Sequence, residues 1–177
     1  MKIKILAISG SLRQDSSNYR IINKVASLVP NNIELTIYKE LGKLPHFDGE
    51  EGYEIVDQWR KQIQDADGIL ICTPEYAFGV PGSLKNALDW TVSSGNFYEK
   101  PVALITASSV GDKGHVSLLQ TLTAITAKMN DDTKLLIPFI RSKFNEKGEP
   151  DPSTLDAIEK VVKNLIALIE INKQDEL

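Results

Sequence analysis

Residues Gly68-Ile69-Leu70-Ile71-Cys72-Thr73 form an unbroken apolar run of strand length, stopped by Pro74. A strand with one face in water alternates polar and apolar residues. A strand buried on both faces does not, and parallel sheets covered by helices produce such runs. Pro101 to Thr106 is of the same kind, Ile3 to Ile8 is an apolar run interrupted at Lys4, and Lys134 to Pro138 predicts a short further strand. Ile33, Leu35 and Ile37 instead alternate with Glu34, Thr36 and Tyr38, which predicts a strand with one buried face. Between these runs apolar residues recur at helical spacing. Ile21, Ile22, Val25, Ala26 and Val29 make one stripe, Ile55, Val56, Trp59 and Ile63 a second, and Val116, Leu118, Leu119, Leu122, Ile125 and Thr126 a third. Pro81 suits the first turn of a helix running past Trp90, and Ser153 is placed to cap a last helix carrying Leu155, Ile158, Val161, Val162, Leu165, Leu168 and Ile169. Strand and helix alternate through the chain with no repeat and no linker. The pattern predicts one α/β domain over residues 1–177: a doubly wound five-stranded parallel sheet, order 2-1-3-4-5, with helices on both faces.

In such a sheet ligands sit beyond the carboxyl ends of the strands, near the switch point between strands 1 and 3. Three loops reach that edge. Gly10–Asn18 carries Ser11, Arg13, Ser16, Ser17 and Asn18 just where a helix starts. A helix start leaves backbone N–H groups without internal partners, and its dipole is positive there. Hydroxyls and a guanidinium added to it make a site for a phosphate that needs no metal. The same residues also read as a plain N-cap. Neither G-x-x-x-x-G-K-[ST] nor G-x-G-x-x-G is present, so the loop suits a terminal phosphomonoester better than a nucleoside triphosphate or a dinucleotide. Pro74–Gly79 brings an apolar and aromatic face, Tyr76 and Phe78. Ala107–Gly111 brings small residues and backbone amides. A planar heterocycle with a phosphate arm matches the three together.

Other features narrow the class. A formal charge of −4 and the lack of a basic stripe argue against a nucleic-acid footprint. Cys72 is the only cysteine, which excludes an internal disulfide, fits a reducing compartment and reads as a small core residue. The N-terminal apolar run is too short for a signal peptide or a membrane span, so the expected location is cytoplasmic, away from membranes. Two histidines and no nucleophile motif give no protein acid–base pair; no catalytic residue and no metal ligand is assigned. Glu75 reads equally as a cap or salt-bridge partner and as a ligand contact. The segment from Gly42 to Gly52, with His46, is long for a compact domain, and such loops often border a site.

Two motifs carry a family resemblance. One is Gly10-Ser11-Leu12-Arg13 with Ser16 and Asn18. The other is Pro74-Glu75-Tyr76, then Pro81-Gly82, Leu84-Lys85-Asn86-Ala87 and Asp89-Trp90. Over about residues 1–140 the chain resembles the NADPH-dependent FMN reductase family, which includes chromate, quinone and azo reductases. The resemblance implies a flavodoxin-like fold and non-covalent FMN. It also implies hydride uptake from NAD(P)H and transfer to a small acceptor such as free flavin, a quinone, an azo compound or a metal oxyanion. By position, Ser11, Arg13, Ser16 and Asn18 would hold the FMN phosphate, with the Ser17 amide. Pro74, Glu75, Tyr76, Ala77 and Phe78 would lie along the isoalloxazine, and Ser108, Ser109 and Gly111 along its polar edge or the ribityl chain. Lys85, Asn86, Asp89 and Trp90 would be structural or dimer-forming, in a homodimer or homotetramer. Two departures stand out: Ala77 where many members carry Asn, and Gly111-Asp112-Lys113-Gly114-His115 where many carry a glycine-rich segment with an arginine. A flavodoxin-like electron carrier and a non-catalytic flavin-binding module are the alternatives to an enzyme.

Overall fold

The computed structural model describes residues 2–175. Five parallel strands, β1 (Ile3–Ser9), β2 (Ile33–Tyr38), β3 (Gly68–Thr73), β4 (Val102–Ala107) and β5 (Lys134–Ile137), form one sheet in the order β2-β1-β3-β4-β5. The register sets Ala7 beside Leu70 and Ser9 beside Cys72, so β1 and β3 end level with each other. Five α-helices connect or follow them: α1 (Ser17–Leu28), α2 (Glu54–Asp65), α3 (Gly82–Asp89), α4 (Asp112–Ala124) and α5 (Pro152–Asp175).

Successive side chains of a strand point to opposite faces, and the core divides accordingly. Leu6, Ile8, Ile69, Ile71, Val102 and Leu104 pack against Val56, Trp59 and Ile63 of α2, Leu84 and Leu88 of α3, and Leu118 and Leu122 of α4. Ile5, Ala7, Leu70, Cys72, Ala103 and Ile105 pack against Ile21, Ile22 and Val25 of α1 and Ile158, Val162, Leu165 and Ile169 of α5. Each buried aliphatic side chain contributes about 1.5–3 kcal/mol. β3 and β4 are buried along their whole lengths, as their unbroken apolar runs require, whereas β2 is an edge strand with alternating exposure. The fold class, strand order and two-faced helix cover match the expectation from pattern.

Three local expectations need correction. Asp151, not Ser153, caps α5: its Oδ1 accepts the Thr154 amide at 2.8 Å and the Ser153 hydroxyl at 2.8 Å. Asp151 precedes the helix, so its carboxylate can reach the amide three residues on, whereas Ser153 already lies inside the first turn. Pro81 is the residue flanking α3, which begins at Gly82 and ends at Asp89; Trp90 closes it. The long loop after β2 packs onto α3 instead of reaching the ligand edge. The Pro45 carbonyl accepts Asn86 Nδ2 at 2.9 Å and Trp90 Nε1 at 2.8 Å, and the Phe47 amide donates to Asn86 Oδ1 at 2.8 Å. Asn86 and Trp90 are therefore structural, and Lys85 pairs with Asp89 one turn on.

Candidate functional site

The first loop is shaped by its own serines. Ser9 Oγ donates to the Ser11 carbonyl at 2.9 Å and accepts the Ser11 amide at 3.2 Å, and Ser11 Oγ accepts the Arg13 amide at 3.3 Å. Gly10 lets this loop leave the sheet close to β3. Its amide donates to the Cys72 carbonyl at 2.9 Å, and a Cβ on it would lie 2.1 Å from Thr73 Oγ1. Ser16 is the N-cap of α1, its Oγ accepting the Tyr19 amide at 3.3 Å. That leaves the amides of Ser17 and Asn18 with no acceptor among the described residues, at the positive end of the helix. Unsatisfied amides at a positive helix end are chemically suited to a phosphate ester.

Two side chains of the loop are already engaged. Asn18 is buried: its Nδ2 donates to the Ala107 carbonyl at 3.5 Å and its Oδ1 accepts the Cys72 thiol at 3.3 Å. Asn18 thus offers its backbone amide while its side chain ties α1 to β3 and β4. Burial pushes the Cys72 thiol up, which keeps it protonated and inert, as its core position implies. Arg13 is exposed and pairs with Asp15, Nε to Oδ1 at 3.3 Å; the guanidinium holds the Asp15 carboxyl below its usual range.

The second loop is a two-residue turn. The Tyr76 amide donates to the Gly79 carbonyl at 3.1 Å and the Gly79 amide returns a bond at 2.9 Å. Ala77 and Phe78 between them have φ of 48° and 60°. Turns with both central residues left-handed favour Asn-Gly, and each residue bearing a Cβ costs about 1–2 kcal/mol there. The turn leaves Tyr76 and Phe78 exposed at the rim. Glu75 faces the other way. Its Oε2 accepts the Gly114 amide at 2.6 Å and its Oε1 the Gly111 amide at 3.3 Å. α4 starts at Gly111 with no side-chain cap of its own, so Glu75 supplies one from another loop. Its carboxylate takes the capping role.

The third loop turns at Gly111, whose φ of 96° suits a residue without a side chain. Its first part is bound to the segment after β5: the Phe139 amide donates to the Ser109 carbonyl at 3.1 Å and the Ile140 amide to the Ser108 carbonyl at 3.0 Å. Two basic residues follow Gly111 on α4. Lys113 is exposed and lies 3.5 Å from Asp112. His115 is half-buried with Nδ1 2.7 Å from Thr106 Oγ1, and burial, with Lys134 nearby, lowers its pKa, favouring the neutral ring.

These loops enclose a cleft of about 250 Å³. Ser11, Arg13, Ser16, Ser17 and Asn18 line it from the first loop, Pro74, Glu75 and Tyr76 from the second, and Ser108 and Ser109 from the third. Ala77, Phe78 and Gly111 do not line it. Ala107, at the start of the third loop, does line it, and so do Ile140 and Arg141, which the sequence pattern does not point to. Arg141 lies in a polar, turn-rich stretch without a motif, and only its repeat of the Arg13 chemistry marks it.

Residues 3–133 match the family model described as NADPH-dependent FMN reductase. The chain belongs to the NADPH-dependent FMN reductase family. Its relatives include a quinone reductase of Escherichia coli (strain K12), 33% identical over 168 residues and covering 88% of this chain and 89% of its own. An NADPH azoreductase of Bacillus sp. (strain OY1-2) is 30% identical over 176 residues, covering 97% and 96%. Among solved structures, FerB, a flavoenzyme NAD(P)H:(acceptor) oxidoreductase from Paracoccus denitrificans, superposes with a TM-score of 0.78 at 24% identity over 95% of this chain and 97% of its own, which speaks for the fold. The protein is an oxidoreductase whose family uses FMN and NAD(P)H. Among the described residues no group of acidic, histidine or cysteine side chains could hold a metal ion, and no helix is long and apolar enough to cross a membrane.

Proposed function

We propose that this cleft holds FMN non-covalently and that the enzyme passes reducing equivalents from NAD(P)H to a small quinone. The observation that carries the reading is the α1 start: two unsatisfied amides, the Ser11 and Ser16 hydroxyls and Arg13 converge at the switch point of the sheet. They would hold the phosphate, with Ser17. Pro74, Glu75 and Tyr76 would flank the isoalloxazine, with Ala77 and Phe78 at its outer edge, and Ser108 and Ser109 would face its polar edge or the ribityl chain. Gly111 would act through the turn it permits. Bound FMN supplies the hydride chemistry itself, so the protein's part is binding, orientation and electrostatic support.

Quinones are the acceptor we favour because relatives are named quinone reductase and 2-hydroxy-1,4-benzoquinone reductase. Neutral aromatic acceptors also suit a rim built from Tyr76 and Phe78. We further infer a homodimer acting in the cytoplasm, with the exposed Phe78 and Val92 available to a second copy. The test is direct. Protein reconstituted with FMN should be yellow, bleach with NADPH or NADH under anaerobic conditions, and recolour on adding a benzoquinone. Protein that ignores added FMN ends the proposal. Bleaching without turnover would make it an electron carrier.

A further inference from the structure

Beside the cleft, the segment after β5 forms an open shelf of about 250 Å³ lined by Ser109, Phe139, Arg141 and Ser142. Ser109 and Arg141 line both shelf and cleft, so the two adjoin. Phe139 has φ of 53° and keeps 66% of its surface exposed. Its backbone is fixed to the third loop through the Ser109 carbonyl, so the ring is held in water by a conformation unusual for a bulky residue.

The charges point to what the shelf receives. Arg13 is matched by Asp15, and Glu75, the one carboxylate lining the cleft, is taken up by the α4 amides. Arg141 is exposed and forms no ion pair with any described residue. It is an uncompensated positive charge beside the cleft. An aromatic ring beside a free guanidinium suits a planar base carrying a phosphate, by stacking and by a charge-assisted hydrogen bond.

We propose that Phe139 and Arg141 bind the adenosine-phosphate half of the nicotinamide dinucleotide, the ring under the adenine and the guanidinium on a phosphate. The proposal rests on the FMN reductase reading of the adjoining cleft. The probe is 2′,5′-ADP, which lacks nicotinamide and cannot turn over, titrated calorimetrically into FMN-loaded protein. Arg141→Gln should weaken it about tenfold and Phe139→Ala several-fold, with FMN affinity changed less than about twofold in Phe139→Ala and reduced less than 2′,5′-ADP affinity in Arg141→Gln. A rise in KM for NADPH alone would locate the contact at the 2′-phosphate. A rise for both NADPH and NADH would locate it at the pyrophosphate. Either supports the shelf. Unchanged 2′,5′-ADP affinity in both variants overturns it. So does an equal loss of FMN affinity in Arg141→Gln, which would assign the arginine to the flavin phosphate. If wild-type protein takes up no FMN, the underlying reading has failed, and the same titration on flavin-free protein still decides the shelf.

Discussion

The Glu75 carboxylate accepts the Gly114 amide at 2.6 Å, so the loop after β3 caps the helix that follows β4. Two walls of the cleft are fastened together by that one side chain. Gly114 is small because the loop presses on it: a Cβ there would lie 3.0 Å from Glu75 Cγ and 3.1 Å from the Gly79 carbonyl oxygen. Glu75→Ala should destabilise the protein by about 1–3 kcal/mol, the value of a charged hydrogen bond to a helix start, and weaken FMN binding as well. Glu75→Gln, which keeps an acceptor but not the charge, should lose less. Urea unfolding with a parallel FMN titration measures both effects.

The turn at Ala77 and Phe78 stores strain. Ala77 with φ of 48° has the backbone of a glycine or asparagine but not the side chain of either. Asn at this place in many family members is then explained by backbone preference, before any contact with a flavin. Ala77→Gly or Ala77→Asn should stabilise the protein by about 0.5–2 kcal/mol, because the penalty of a Cβ in the left-handed region is removed or reduced. A thermal melt of flavin-free protein reads this directly, and a lower Tm would count against the strain.

His115 makes stability depend on pH. Burial lowers its pKa from 6.5, so on acidification the unfolded chain takes up a proton before the folded chain does. The folded state therefore keeps its full stability above about 6.5 and loses part of it as pH falls through the window below. His115→Gln should flatten that dependence. Urea midpoints measured between about pH 5 and pH 7.5 compare the two; parallel curves would show that His115 contributes nothing.

The fold was legible because its evidence is spread over many residues. Unbroken apolar runs at 68–73 and 102–107 have the length and flanking prolines of strands covered on both faces, and helical stripes between them leave little freedom of topology. The first loop was legible for a different reason: its serines, arginine and helix start are adjacent in sequence. What stayed hidden depends on distance or on backbone angle. The capping role of Glu75 could not be separated from a ligand role, because Gly111 and Gly114 lie 36 and 39 residues away. The left-handed turns at Ala77, Phe78 and Phe139 occur at residues that do not advertise them. Arg141 joins the cleft only because the segment after β5 pairs with Ser108 and Ser109.

Arg13 lines the cleft and is paired with Asp15, which would compete with a ligand phosphate for the guanidinium. The pair is exposed on both sides, 68% and 76%, so its own contribution to stability is small. Its effect on binding is larger, because a phosphate must draw Arg13 away from Asp15 and accept a carboxylate nearby. Arg13→Ala should weaken FMN by about 1–3 kcal/mol, and riboflavin, which lacks the phosphate, should bind equally to the variant and the parent. Asp15→Asn should act in the opposite direction, tightening FMN several-fold at low salt and less at high salt, where the charge is screened. The affinity of the parent should also fall as pH drops below about 6, where the phosphate loses its second negative charge. Fluorescence titration of the three proteins with FMN and riboflavin at two salt concentrations separates these effects. An Asp15→Asn variant that binds FMN more weakly than the parent would show that the carboxylate orients Arg13 instead of competing for it.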